Sequence, residues 1–252
     1  MNARVGLFVT CLVDLVRPQV GFAAVKLLEA SGCTVEVPRA QTCCGQPAWN
    51  AGADTHAREI ARAVIDAFED FDYVVAPSGS CAGMLRRHFP EVLANDLAYA
   101  PRAKALAEKS HELISFLVNV RKMERVAAAC PARACYHDSC SSLREMGVKR
   151  EPRTLLASVE GLALTELKEA QVCCGFGGLF AIKYPDISER MADDKIADVR
   201  STGADTLIGG DLGCLLHLAG RMGRQGNAMH VRHIAEVLAN MGDQPSLGEV
   251  AK

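Results

Sequence analysis

A large excess of either sign of charge is missing from this chain: 28 Lys and Arg stand against 30 Asp and Glu, a net charge of −2 over 252 residues. A nucleic-acid face needs clustered basic residues, and the short runs Arg86-Arg87 and Lys149-Arg150 do not make one. Aromatics are few, at 5%, with a single tryptophan, Trp49. No apolar stretch reaches the roughly 18 residues of a membrane span, so no transmembrane segment is expected. The first residues lead straight into a strand-like run, Val5 to Thr10, with no apolar leader and cleavage site. A cytoplasmic location is therefore expected. No Gly-x-Gly-x-x-Gly opens a βαβ unit and no P-loop is present, which argues against a nucleotide site.

Cysteine is what the chain has in excess. Eleven occur, at positions 11, 33, 43, 44, 81, 130, 135, 140, 173, 174 and 214. In a reducing compartment such a set points to metal binding or redox chemistry rather than to disulfides. The spacing repeats. Cys43-Cys44-Gly45 recurs as Cys173-Cys174-Gly175, 130 residues later. Cys11 lies 32 positions before Cys43, and Cys140 lies 33 before Cys173. Cys81 lies 37 after Cys44, and Cys214 lies 40 after Cys174. Cys11, Cys43, Cys44 and Cys81 thus map in order onto Cys140, Cys173, Cys174 and Cys214. Cys33, Cys130 and Cys135 fall outside the pattern and read as small buried hydrophobes.

The segments around the cysteines repeat as well. Short β-branched runs, Val5 to Thr10, Thr34 to Pro38, Tyr73 to Pro77, Leu162 to Leu167 and Thr206 to Gly210, break into Gly, Ser or Pro and read as strands ending in tight turns. Helical periodicity falls at Pro18 to Ala30, Asp54 to Phe68, Ala103 to Val120, Pro152 to Val159, Ile187 to Val199 and Ile234 to Ala239. Strands alternating with helices predict an α/β fold of two Rossmann-like parallel-sheet lobes related by a pseudo-twofold axis. The boundary is expected near residues 121–132, giving lobes 1–125 and 126–252. In open parallel sheets, ligands collect at the carboxyl ends of the strands. Cys11, Cys81, Cys140 and Cys214 are expected there. Gly45 and Gly175 would let the chain turn so that two adjacent thiols reach one centre. Each quartet suits an iron–sulfur cluster or a tetrahedral zinc, and the wide spacing, unlike short Cys-x-x-Cys clips, favours the cluster.

The pattern Cys-x31-Cys-Cys-Gly-x35-Cys resembles the CCG, or cysteine-rich, domain. That domain occurs twice in one component of heterodisulfide reductase and in glycolate oxidase iron–sulfur subunits. The resemblance is closer to the lactate utilization protein A family. Leu7 to Asp14, Cys43-Cys44-Gly45-Gln46-Pro47-Ala48, Pro77 to Cys81, Cys173-Cys174-Gly175-Phe176-Gly177-Gly178 and His233 to Leu238 carry it. The resemblance implies an iron–sulfur electron-transfer subunit for oxidation of L-lactate to pyruvate. It implies one or two [4Fe–4S] clusters on Cys11, Cys43, Cys44, Cys81, Cys140, Cys173, Cys174 and Cys214. It implies partners, lactate utilization proteins B (ferredoxin-like) and C. In heterodisulfide reductase a fifth cysteine completes a final Cys-x-x-Cys; Met84 and His217 stand at those places here. Two other readings stay open: a heterodisulfide-reductase-like cluster acting on a thiol or disulfide, and a zinc-stabilised scaffold. No flavin signature is present, so the chain is not expected to oxidise lactate alone.

Other residues near the quartets carry expectations of their own. His137-Asp138 is a candidate proton relay. Arg144, Arg150 and Arg153 are candidates to clamp a substrate carboxylate. His217 is a candidate nitrogen ligand, and Trp49 a candidate cover for the first centre.

Overall fold

The structure, a computed structural model, describes residues 2–226 and 229–249; the halves 1–125 and 126–252 expected above extend past these at both ends. Among the described residues, eight strands form two four-stranded sheets, each wholly parallel. In the first, β1 (Ala3–Leu7), β2 (Cys33–Glu36), β3 (Tyr73–Ala76) and β4 (Ser110–Glu112) lie in the order β2-β1-β3-β4. In the second, β5 (Ala129–His137), β6 (Glu160–Thr165), β7 (Thr206–Gly209) and β8 (His230–His233) lie in the order β6-β5-β7-β8. The two-lobed α/β architecture expected from the repeat is present.

Strand order reverses between β1 and β3, and between β5 and β7. Connections leave the two strands of each pair in opposite directions, which opens a crevice at their carboxyl ends. Cys11 follows β1 and Cys81 follows β3; Cys140 follows β5 and Cys214 follows β7.

The helices form for visible reasons. Asp54–Phe68 buries Ala57, Ala61, Val64, Ile65 and Phe68, a stripe at helical spacing. Pro185–Ser201 buries Ser188, Ala192, Lys195, Ile196 and Val199 at the same intervals. Pro18–Ala30 starts on proline, whose missing N–H is no loss in a first turn.

One expected helix, Ala103 to Val120, is corrected. The helix runs Ala100–Lys109 and stops; β4 follows, then a turn at Leu113–Ser115 and a π-helix at Phe116–Val120. The Ser110 hydroxyl donates to the Leu106 carbonyl at 2.7 Å, which closes the helix end. Glu112 then caps the next turn, accepting from the Ser115 N–H at 2.8 Å. In the second lobe His233 stands at the matching cap and accepts from the Ala235 N–H.

The largest apolar core is shared between the lobes. It runs from Val5, Leu7 and Leu28 through Phe116 and Leu117 to Leu155, Ile196 and Val237. The helices that meet there do so in swapped pairs: Pro18–Ala30 packs on Ile234–Leu238, and Arg150–Leu156 packs on Leu113–Ser115. Likewise Gly79–Gly83 packs on Cys140–Arg144, and Leu212–Arg224 on Cys11–Val16. Exchange of equivalent elements across one interface is what a pseudo-twofold axis produces.

Glu112, at the end of β4, is buried. Burial pushes its carboxyl up to about 7 from 4.5, against the hydrogen bonds from Ser115 and Ile114. The folded protein thus holds this proton to higher pH than the unfolded chain, so stability falls as pH rises from about 4.5 through 7. Glu112→Gln is expected to gain on the wild type by up to roughly 3 kcal/mol between pH 5 and pH 8. Urea unfolding at the two pH values measures this; an equal difference at both would refute it.

Candidate metal centres

Each quartet comes together at its crevice. In lobe one the Cys11 thiol lies 3.9 Å from Cys43 Sγ. The Cys44 thiol also acts electrostatically on Cys43, and Cys81 on Cys44. Lobe two repeats the chain: Cys140 with Cys173, Cys173 with Cys174, Cys174 with Cys214. All eleven cysteines are free thiols. Cys33 and Cys135 are buried in the shared core, with Cys130 partly buried against it.

Local backbone sets these positions. Thr10 precedes Cys11 at φ 75°, a positive-φ conformation costly for a β-branched residue, and caps the helix Cys11–Val16. Gln41 Oε1 accepts the Val9 N–H at 2.9 Å, tying the end of β1 to the loop that carries Cys43. Cys81 and Cys214 lie in first helical turns capped by Ser78 and Asp211. Those caps meet across the lobes: Asp211 Oδ2 accepts from the Ser78 hydroxyl at 2.9 Å and the Ser80 N–H at 3.1 Å.

Gly45 and Gly175 hold φ of 82° and 88°. A Cβ at Gly175 would lie 2.6 Å from the Ser188 carbonyl oxygen and 2.8 Å from Met191 Cβ. At Gly45 the nearest contact is a milder 3.2 Å, to Ile60. Gly175→Ala is therefore expected to cost more than the roughly 1–2 kcal/mol of the left-handed backbone alone, and more than Gly45→Ala. Paired thermal melts check the order; the reverse order would contradict it.

The electrostatics single out one thiol per quartet. Cys43 is held well below the ordinary thiol range because Cys11 and Cys44 donate to it, and so do the N–H groups of Gly45 and Cys44. Cys173 is lowered likewise by Cys140 and Cys174, and the Gly175 N–H points at its sulfur at 3.4 Å. Cys11, Cys44, Cys140 and Cys174 are pushed up by their thiol neighbours and by burial. Cys214 goes the other way from Cys173. Cys174 favours its thiolate, but burial and the Asp211 carboxylate outweigh that and raise it. A nest of thiols that cannot all ionise without compensating charge suits a cation or a cationic cluster. The donor set therefore fits both an iron–sulfur cluster and zinc.

The neighbouring candidates sort differently from the sequence reading. Asp138 does not face His137; its carboxylate is gripped by Arg153 at 2.5 and 2.8 Å. Arg153 also holds Glu166 and lies 4.9 Å from the centre of the Tyr136 ring. So the His137-Asp138 relay is not assembled, and Arg153 is not free to clamp a substrate. Arg144 is exposed and reaches the Gln171 carbonyl; Arg150 lines an open cleft of about 930 Å³ with Lys149, Arg153 and Lys168. Met84 is fully buried in the apolar cluster around Cys81. His217 meets the Ser188 hydroxyl at 3.3 Å, and Ser188 donates to the Gly175 carbonyl, so His217 braces the turn. Trp49 packs against the apolar cluster that includes Cys44 and Cys81, 6.1 Å from the His88 ring.

The imidazole grouped with thiols belongs to His137 instead. Its ring and the sulfurs of Cys174 and Cys214 offer donor atoms within 4.8 Å of one another. Both ring nitrogens lack a hydrogen-bond partner, and the residue is 1% exposed. Burial, then the nearby Lys195 charge, lowers its pKa to about 4, so the ring is neutral. The sequence signal was position: His137 ends β5, three residues before Cys140.

The cysteine-rich (CCG) domain model matches twice, over residues 5–86 and 134–219. A lactate utilization protein A of Geobacillus thermodenitrificans is 51% identical over 235 residues, covering 93% of this chain and 98% of that protein. The Bacillus subtilis protein of the same name is 48% identical over the same span. The chain belongs to the lactate utilization protein A family. Both matches of the CCG model contain a quartet: the first takes in the end of β1 and β3 with Cys11 to Cys81, the second the end of β5 and β7 with Cys140 to Cys214. Among solved structures, a hypothetical protein from Helicobacter pylori shares the fold, with a TM-score of 0.69 at 11% identity. The match covers 99% of this chain and 52% of that one, so this chain spans about half its length.

Proposed function

We propose that the chain is an iron–sulfur electron-transfer subunit of an L-lactate oxidation system, working in the cytoplasm with lactate utilization proteins B and C. The observation that carries this reading is the convergence of two equivalent thiol quartets at two sheet crevices, in a chain whose relatives are named for lactate utilization. Division at 125/126 gives each lobe one quartet. Cys11, Cys43, Cys44 and Cys81 would hold one centre; Cys140, Cys173, Cys174 and Cys214 the other. An iron–sulfur cluster supplies one-electron acceptance and donation at each position.

The protein's own groups do the rest. Cys43 and Cys173 present the first thiolates. The N–H groups of Gly45 and Gly175 hydrogen-bond to sulfur, which favours the reduced, more negative state. Cys44, Cys81, Cys174 and Cys214 are buried, so the inner side of each centre is shielded from water. Cys11 and Cys43 open into a cleft of about 360 Å³ rimmed by Leu15, Val37 and Pro38, with Leu15 and Val37 exposed. An apolar rim beside a redox centre suits a docking partner. No helix among the described residues is long and apolar enough to cross a membrane.

Loss of the chain is expected to abolish growth of its source organism on L-lactate as sole carbon. The wild-type gene should restore growth and a Cys43→Ser/Cys174→Ser double variant should not. Undiminished growth without the chain would reject the lactate role. One observation favours a second reading: a 3.9 Å Cys11–Cys43 separation is also close to the S–S distance of about 3.8 Å around one tetrahedral zinc.

A further inference from the structure

The two lobes hold the same thiols in different surroundings. Strand register makes the comparison residue by residue. Val5 pairs with Tyr73 and Leu7 with Val75 in the first sheet; Ala134 pairs with Thr206 and Tyr136 with Ile208 in the second. Phe8 and His137 therefore occupy the same place, each three residues before the first cysteine of its quartet. On the facing helices Ala57 corresponds to Ser188 and Val64 to Lys195, the other buried positions, Ala61 and Ala192, Ile65 and Ile196, Phe68 and Val199, remaining apolar in both. Three residues past the last cysteine, Met84 corresponds to His217.

Around lobe one stand Phe8, Ala57, Val64 and Met84, all buried and apolar. Around lobe two stand His137, Ser188, Lys195 and His217. Ser188, Lys195 and His217 have partners in the protein. His137 has none at either ring nitrogen, although it is as buried as Phe8. Burying an imidazole without a partner is costly, and lobe one shows that the fold accepts an aromatic hydrocarbon at this place. A neutral imidazole also carries a lone pair that ligates metals. The cost is offset when a metal takes that lone pair.

We propose that the centre in lobe two is a mixed thiolate–imidazole centre, with His137 as a donor beside Cys140, Cys173, Cys174 and Cys214, while the centre in lobe one is bound by thiolates alone. The inference rests on the reading that the quartets bind metal. The Lys195 ammonium, buried on the adjacent helix where lobe one has Val64, places a positive charge beside lobe two and would favour the reduced, more negative state of a centre held there. Lobe two would then be the easier centre to reduce.

The test uses the full chain, purified without oxygen, reduced with dithionite and examined by pulsed electron paramagnetic resonance. Protein of natural abundance is expected to show a ¹⁴N coupling that becomes a ¹⁵N coupling when histidine alone is ¹⁵N-labelled. That coupling should vanish in His137→Phe, which copies lobe one, and in His137→Gln, and should persist in His217→Met. Iron and sulfide without any histidine coupling in the labelled wild type would overturn the proposal, whatever the variants do. So would a coupling that survives both His137 substitutions. If the protein binds zinc instead, zinc-edge absorption asks the same question, and a nitrogen ligand at about 2.0–2.1 Å lost in His137→Phe is the expected result. A protein that binds neither metal rejects the metal reading itself, and this inference with it, a result distinct from metal bound without nitrogen.

Discussion

Cys174→Ser is expected to empty lobe two and leave lobe one loaded, so that iron and sulfide per chain fall by about half. Cys174 is a buried thiol of its quartet, acted on by both Cys173 and Cys214. A serine hydroxyl there stays protonated and replaces a soft thiolate with a hard oxygen, poorly matched to iron–sulfur chemistry. Cys43→Ser should do the same to lobe one, through loss of the thiol that its neighbours hold as thiolate. Cys33→Ala and Cys130→Ala should retain full iron, because those residues pack against the shared core. Anaerobic metal and sulfide analysis of the four variants decides it. Full iron in both quartet variants would refute the ligand assignment.

Arg17→Met is expected to be the most damaging substitution outside the cysteines, at about 3–5 kcal/mol. Arg17 Nε sits 2.8 Å from Glu236 Oε1, and the Glu236 side chain has no exposure. Arg17 Nη2 also donates to the Pro245 carbonyl at 2.6 Å, and Glu236 Oε2 accepts the His233 N–H at 3.2 Å. The pair joins the first lobe to the last helix of the second. Removal of the guanidinium leaves a buried carboxylate with no counter-charge, which is far worse than loss of an exposed pair. Adding Glu236→Gln should recover a large part of the loss, because the unpaired charge is then gone. For a chain of this size the fall in melting temperature is roughly 6–20 °C. A loss under about 1 kcal/mol in urea titrations would mean that the ion pair behaves as a surface contact.

The quartets were legible in the sequence because thiol identity is not interchangeable and the repeat fixes its spacing. Gly45 and Gly175 were legible for a related reason: two adjacent thiols can face one centre only if the chain reverses at once, and both glycines do adopt positive φ. The strands β4 and β8 were not. Ser110–Glu112 and His230–His233 are three and four residues long and polar, without the apolar run that marks a strand. Sheet pairing with β3 and β7 supplies what their side chains do not.

The surroundings of the centres were harder to read than the centres. His137 and Asp138 are neighbours in sequence, which suggested a joint role. The chain sends Asp138 to Arg153, fifteen residues on, and leaves the imidazole beside Cys174 and Cys214. Arg153 likewise looked free until its two carboxylate partners were seen. His217, at the place of a missing cysteine, turned out to brace Ser188 and the glycine turn. Each of these outcomes depends on contacts between segments that local patterning does not register.

The most direct measurement is the content of iron, acid-labile sulfide and zinc per chain in protein purified without oxygen. The account predicts about four to eight irons matched by sulfide, as one or two [4Fe–4S] clusters require. Zinc in stoichiometric amount with no sulfide would contradict it, turning the quartets into structural sites and removing the basis for electron transfer.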